Sequence, residues 1–266
     1  MPNPFLDRIR ADELTLMLGI RFGRSTDIIR IAKATGHHAV MIDLEHSTMD
    51  LDTVASLSTT AHDLGLWPLV RVREREYAAI GPILDGGALG IVAPRVETAE
   101  QAATVVAAAK FPPQGQRSQI ASLPYFSMRP VPATTSNPAV NEATIVQVLI
   151  ETPLGVANAN AIASLDGVDI LAMGLNDLTA ELGIPGAIGD PQVLEAVSVV
   201  AAACRAHGKP LMVGGTSDLS LLDRFRKMGA SSLLLTGTDG DLLFAGAQSR
   251  AGDFTAWDSA RQHGSR

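Results

Sequence analysis

The chain has 266 residues, 46% of them hydrophobic and 18% charged, a size and composition that bury a large core. Its net charge of −7 excludes nucleic acid as the main partner, because such binding needs a basic face. Its apolar runs are too short and too interrupted to span a bilayer, and its single cysteine, Cys204, excludes an intrachain disulfide framework or a cysteine-rich metal site.

The opening residues MPNPFLDRIRADE carry acids and lack an apolar signal segment, so the expected address is the cytoplasm. Short apolar runs then alternate with amphipathic stretches. The candidate strands are 16–23, 38–46, 68–73, 90–96, 143–151, 168–174, 210–215 and 232–237. Punctuation between them marks helices. Ser25 is a possible cap for a helix that stops at Gly36, and Leu51, Val54, Leu57, Ala61 and Leu64 form an apolar stripe ending at Gly65. Thr98 with Gln101 reads as a capping box, and Asp190 before Pro191 as a cap followed by a good first helical residue. Eight repeats of this kind favour a single-domain (β/α)8 TIM barrel over residues 1–266, with a doubly wound open sheet as the competing architecture. The stretch at about 112–142, rich in Pro, Ser, Thr and Gln, is expected to be a long functional or mobile loop. The tail after Asp253 is expected to fray or to engage another subunit.

A barrel keeps its reactive groups at the C-terminal ends of its strands, so the strand ends carry the search. Strand two ends in Asp43, Leu44, Glu45 and His46. If it stays extended, Asp43 and Glu45 face one way and His46 the other. His46 is then either a surface histidine or a general base titrating near neutrality. Strand three carries Arg71 and Arg73 among apolar residues. A salt bridge to Asp43 or Glu45 is expected more of Arg73, and an oxyanion-stabilising role more of Arg71. By pattern alone Asp85 before Gly86 and Gly87 is a turn residue, Arg95 and Glu97 are structural, and Arg117 is a weak anion contact. Glu151 and Asp177 close strands five and six, and a strand–helix–strand unit brings such ends to one sheet edge. Two carboxylates meeting there repel unless they share a proton or hold a divalent cation with hard oxygen ligands.

The segments IDLEHSTMD (42–50), PLVRV (68–72), ILDGGALGIVAPRVETAEQA (83–102), FPPQGQRS (111–118), IETPLGVAN (150–158) and GVDILAMGLNDLTAELG (167–183), taken in order, resemble the HpcH/HpaI aldolases. These are metal-dependent class II enzymes that include 4-hydroxy-2-oxoheptanedioate aldolase. The resemblance implies a (β/α)8 barrel, a homohexamer that exchanges helices between subunits, and a carbon–carbon bond made or broken beside a pyruvate or hydroxypyruvate enolate, with an aldehyde as the other half. It implies Glu151 and Asp177 as ligands of Mg2+, Mn2+, Co2+ or Zn2+, Arg71 as the transition-state arginine, and His46 as the base. Asp85 is implied as an acid that tunes His46 across a subunit interface, and Arg71, Gly174, Asn176, Asp177 and Gln147 as substrate contacts. One position departs from the pattern: Leu149 stands where the heptanedioate enzymes place a glutamine, and the nearest glutamine is Gln147. Rival expectations are a malyl- or citramalyl-CoA-type lyase, for which the long loop offers only Arg117 and Arg129, a 2-oxo diacid decarboxylase, and a non-catalytic barrel that binds an acidic metabolite.

Overall fold

The computed structural model describes residues 3–263. In chain order its first half runs α1 (Pro4–Arg10), β1 (Thr15–Ile20), α2 (Asp27–Ala34), β2 (Ala39–Asp43), α3 (Leu51–Asp63), β3 (Trp67–Arg71), α4 (Ile80–Asp85), β4 (Gly90–Ala93), α5 (Ala99–Ala109) and α6 (Ala133–Ala143). It continues through β5 (Ile145–Ile150), α7 (Pro153–Ala157), α8 (Ala159–Ala163), β6 (Ile170–Gly174), α9 (Leu175–Glu181), α10 (Pro191–Ala206), β7 (Leu211–Gly214), α11 (Leu219–Met228), β8 (Leu233–Thr238) and α12 (Asp239–His263). The strands are parallel and lie in the order β7-β6-β5-β4-β3-β2-β1-β8, a nearly closed (β/α)8 barrel. At the β7/β8 seam the Ser231 N–H donates to the Leu211 carbonyl at 2.7 Å.

Period-2 alternation divides the strand residues between two cores. One face packs on the helices, with Val40, Ile42, Val70, Ile91, Val146, Val148 and Leu171 in a single large cluster. The other face fills the barrel with Met17, Met41, Leu69, Val92, Ile145, Leu149, Ile170, Ala172, Met212 and Leu233. The base of that interior is closed by α1, whose Phe5, Leu6 and Ile9 join the inner cluster, Phe5 stacking on Trp67 at 5.8 Å. Burying each of these three side chains contributes about 1.5–3 kcal/mol. Asn3 caps the helix by accepting the Leu6 N–H at 3.1 Å, behind a proline at its first turn.

One expectation needs correction. The stretch 112–142 is a loop only up to residue 132, because α6 forms from Ala133 onward despite Pro138. Long-range bonds outweigh its composition: the Asn141 side chain exchanges hydrogen bonds with the backbone of Phe111, and the buried Lys110 ammonium donates to the carbonyls of Asn141 and Thr144 at the helix end. The tail from Asp253 belongs to a continuous helix, α12, up to His263, and its residues 264–266 lie outside the described residues. Ser25 caps the start of α2 as expected, its hydroxyl accepting the Asp27 N–H at 3.2 Å, while the Thr26 side chain makes no capping bond. The capping at Thr98 and at Asp190 is as expected, with N–H donors from Gln101 and Gln192 at 3.3 and 2.9 Å.

Candidate active site

The inward faces of the strands end, at the barrel's C-terminal mouth, in charged side chains on one side and glycines on the other. Above Ala39 and Met41 on β2 stands Asp43, above Leu69 on β3 stands Arg71, and beyond Leu149 on β5 stands Glu151. On β6 the equivalent place is Gly174, and on β7 it is Gly214. Asp43 and Arg71 are register partners on adjacent strands. Arg71 grips the fully buried Asp43 with two N–H groups, Nε to Oδ1 at 2.9 Å and Nη2 to Oδ2 at 2.6 Å. Burial by itself would raise the Asp43 carboxyl, but the hydrogen bond and charge of Arg71 outweigh it and hold the group below the usual range.

The strand does not stay extended through His46. The Asp43 carboxylate also accepts the N–H of Glu45 at 3.0 Å and of His46 at 3.3 Å, and the Ser47 hydroxyl donates to its carbonyl, a side-chain turn of the kind Asp favours. That turn brings together side chains that alternation would have separated. Arg71 Nη1 lies 3.2 Å from Glu45 Oε2, and His46 Nε2 lies 3.8 Å from the same oxygen. The salt bridge expected of Arg73 therefore belongs to Arg71, while Arg73 pairs with Glu76 at 3.3 Å in the loop after β3. Three of the five guanidinium N–H donors of Arg71 have carboxylate partners, and the remaining two are available to a ligand.

Glu151 is buried, and its Oε2 accepts the backbone N–H of Arg95 at 3.0 Å. Arg95 presents that N–H from a left-handed conformation, φ 48°, and its side chain is held by Glu181 at 2.8 Å. Burial pushes the Glu151 carboxyl up to about 7, with Asp177 and Glu45 adding like-charge repulsion against the partial relief from Arg95 and Arg71. Glu45 is raised in the same way, by burial and then by the charges of Asp43 and Asp177, partly offset by Arg71 and His46. Asp177 sits in the exposed first turn of α9, directly after Gly174. A Cβ at Gly174 would lie 2.2 Å from Glu151 Oε1, so only glycine leaves that carboxylate its place.

Four carboxylates, Asp43, Glu45, Glu151 and Asp177, thus face the guanidiniums of Arg71 and Arg21. That surplus of carboxylates is the kind of charge a divalent cation offsets. Among the described residues no group of three or more His, Cys, Asp or Glu forms a metal cage. The donors that fit a hard cation are the oxygens of Glu151 and Asp177, a set that leaves coordination positions to substrate and water.

His46, Arg71, Glu151, Gly174, Asn176 and Asp177 therefore share one end of the barrel. Gln147 points inward on β5 one layer deeper, beneath Leu149. It is 1% exposed, with Nε2 3.6 Å from the Met212 sulfur and Oε1 without a hydrogen-bond partner. Asp85 does not join the cluster within its own chain. It ends α4, which runs back toward the base of the barrel, and pairs with the buried Arg117 at 2.6 Å. Sequence reasoning did not single out Arg21, one residue past β1, or the Arg95 backbone N–H. It left Asp43 and Glu45 as strand-end acids. Extending the inward parity of Met17 and Met41 to the strand ends would have found Arg21 and Asp43.

The family model described as HpcH/HpaI aldolase/citrate lyase matches residues 22–245. A 4-hydroxy-4-methyl-2-oxoglutarate aldolase from Hapsidospora irregularis is 33% identical over 94% of each chain. A 5-keto-4-deoxy-D-glucarate aldolase from Salmonella arizonae is 32% identical over 86% of this chain and 87% of its own. The crystal structure of an HpcH/HpaI aldolase from Desulfitobacterium hafniense superposes with a TM-score of 0.85 at 26% identity, covering 92% of this chain and 95% of that one.

Proposed function

The chain belongs to the HpcH/HpaI aldolase/citrate lyase family, and on that premise we propose how its residues carry out the reaction and on which substrates. It is a class II aldolase, a carbon–carbon lyase. The substrate we assign is a 4-hydroxy-2-oxo acid, cleaved to pyruvate or hydroxypyruvate and a second carbonyl compound. The relatives' substrates, 4-hydroxy-4-methyl-2-oxoglutarate and 5-keto-4-deoxy-D-glucarate, carry a carboxylate at each end, and we extend that substrate class to this chain.

The observation that carries the reading is Glu151, a buried carboxylate pushed up to about 7, kept beside Asp177 by the absence of a side chain at Gly174. Glu151 and Asp177 would hold a divalent cation, Mg2+, Mn2+, Co2+ or Zn2+. Bound there, it supplies Lewis acidity to the carbonyl of the keto acid. The two uncommitted N–H donors of Arg71 stabilise the negative charge that develops on that carbonyl oxygen as the bond between C3 and C4 breaks. Asp43 and Glu45 hold Arg71 in place and keep it charged. His46, half exposed at the rim, takes the proton of the C4 hydroxyl as that carbon becomes a carbonyl, directly or through water. A proton returned by His46, directly or through water, then adds at C3 and completes the pyruvate product. Asn176 and the backbone at Gly174 line the keto-acid end. Gln147 acts from the layer below Leu149. Asp85, on a neighbouring subunit, tunes His46.

That last role requires a homo-oligomer, for which a homohexamer is the family-based expectation. The apolar residues Leu243, Phe244, Phe254 and Trp257 of α12 are exposed, and an apolar cleft of ≈ 660 Å³ lies between Phe22, Ile28, Ile31 and Leu242. Surface of this kind suits a second copy of the chain. A CoA-type lyase is disfavoured, because Arg117 is buried against Asp85 and Phe111 and is not free for phosphates. No helix among the described residues is long and apolar enough to cross a membrane. A cytoplasmic address suits the single buried thiol.

The test is pyruvate release from 4-hydroxy-4-methyl-2-oxoglutarate, followed with lactate dehydrogenase, after chelation and after each metal is restored. Activity should vanish on chelation and return with at least one of the four ions. Turnover that survives thorough demetallation would overturn the scheme.

A further inference from the structure

Arg21 follows β1 directly, and its side chain reaches into the barrel mouth to within 4.0 Å of Asp43 Oδ2. That distance gives a Coulombic contact and no hydrogen bond. Asp43 has no need of it, because Arg71 and two backbone N–H groups already occupy its oxygens. Arg21 Nε is buried without a hydrogen-bond partner, although the side chain as a whole is one-third exposed and its guanidinium lies 5.5 Å over the Phe22 ring. The other arginines around the mouth are tied to carboxylates or carbonyls: Arg24 to the carbonyls of Arg21 and Phe22, Arg71 to Asp43, Arg73 to Glu76, and Arg95 to Glu181. A planar, permanently charged fork with an unsatisfied buried N–H, standing at the barrel mouth, fits a carboxylate that the protein does not itself supply.

Its place in the barrel says which carboxylate. Counted around the eight strands, β1 lies opposite β5, so Arg21 stands across the mouth from Glu151, with Arg71 between them on β3. The base of Arg21 is fixed, since the Asp239 carboxylate accepts its backbone N–H at 2.9 Å together with those of Phe22 and Gly23. Gly19 on β1 and Gly214 on β7 add no side chain to this side of the mouth. A ligand whose keto-acid end is held at β5 and β6 therefore directs its other end toward β1.

We propose that Arg21 is a specificity-determining residue that binds a carboxylate on the electrophile, the half of the substrate that leaves as an aldehyde or ketone. The proposal rests on the aldolase reading above and deepens it. The enzyme prefers electrophiles that carry a carboxylate next to or near the carbonyl, and Arg21 is the source of that preference.

The experiment compares wild-type enzyme with the Arg21→Met and Arg21→Lys variants in the synthetic direction, with pyruvate as nucleophile and either glyoxylate or neutral glycolaldehyde as electrophile. Deuterium exchange at the pyruvate methyl group, with no electrophile present, is measured in parallel. Arg21→Met should lower kcat/KM for glyoxylate about 10- to 100-fold, the worth of a charge-assisted hydrogen bond, while leaving glycolaldehyde and methyl exchange near wild type. Arg21→Lys should fall between, keeping the charge and losing the fork. Equal losses on both electrophiles, or a wild type without preference for glyoxylate, would overturn the proposal while exchange persists. A wild type that exchanges no methyl deuterium with any of the four metals would sink the aldolase reading instead. Arg21→Lys keeps the comparison decisive if Arg21→Met does not fold.

Discussion

Replacing Gly174 with alanine adds one methyl group at the centre of the site, and the structure sets how that group acts. The backbone at Gly174 has φ −93° and ψ 93°, which alanine adopts without strain. Loss of unfolded-state freedom alone would therefore stabilise the protein by about 0.4–1 kcal/mol. The methyl carbon would stand 2.2 Å from Glu151 Oε1, 2.8 Å from its Cγ and 2.9 Å from its Cδ. Ordinary carbon–oxygen contact begins about 1 Å farther out, so the carboxylate must swing away and give up the Arg95 N–H at 3.0 Å. A lost charge-assisted hydrogen bond costs about 1.5–3 kcal/mol. The loss outweighs the gain by about 0.5–2.6 kcal/mol, and the melting temperature should fall by roughly 1–10 °C, at roughly 2–4 °C per kcal/mol for a domain of this size. Function should suffer far more, because about 1 Å of misplacement at a reacting centre costs on the order of 100-fold in rate. The assay is pyruvate release titrated with Mn2+, beside a thermal melt. The expected result is a metal activation curve displaced to higher concentration, with kcat/KM at saturating metal reduced about 100-fold. A Gly174→Ala variant whose activation curve overlays the wild type would refute the assignment of Glu151.

Arg71→Lys keeps a charge beside Asp43 but loses the bidentate grip, so kcat should drop about 100- to 1000-fold while a urea melt stays cooperative; a change confined to KM would argue for simple binding. Asp43, held below the ordinary carboxylate range, contributes stability that is fully present above its unfolded pKa of about 3.9 and disappears as pH falls through its lower folded value. The Asp43 contribution should therefore be lost only below about pH 4, and an Asp43→Asn variant should show a shallower acid slope by circular dichroism; identical slopes would count against the pair. The paired change Leu243→Asp and Phe244→Asp, at side chains 72% and 67% exposed in one copy, should reduce the molar mass seen by light scattering without lowering the helical signal. An unchanged assembly would remove α12 from the interface.

Much of this molecule was legible in its residue pattern. Strands two to eight contain the observed strands within their expected bounds apart from single end residues, because fully buried parallel strands need continuous apolar runs and the helices between them announce their caps. That Glu151 and Asp177 share one end of the barrel was legible for a topological reason: consecutive parallel strands end on one edge. Residues 112–142 misled, since Pro, Ser and Thr weigh against a helix locally, whereas α6 is held by contacts from Lys110 and Phe111 more than twenty residues away. The α1 plug was missed for a similar reason, as seven residues acquire meaning only when the open base of a barrel stands beneath them.

What the chain determined by itself, then, was periodicity: which runs are strands, which faces are apolar, and which acids and arginines stand at strand ends. Tertiary structure decided the partnerships. Whether Arg71 or Arg73 would take Asp43 depended on register across β2 and β3 and on a turn in which Asp43 captures the N–H groups of Glu45 and His46. That Arg21 would be left with an unpartnered Nε depended on Arg71 reaching Asp43 first. Such outcomes are competitions for a few lone pairs at distances of ångströms, and a linear pattern carries no distances between residues far apart along it.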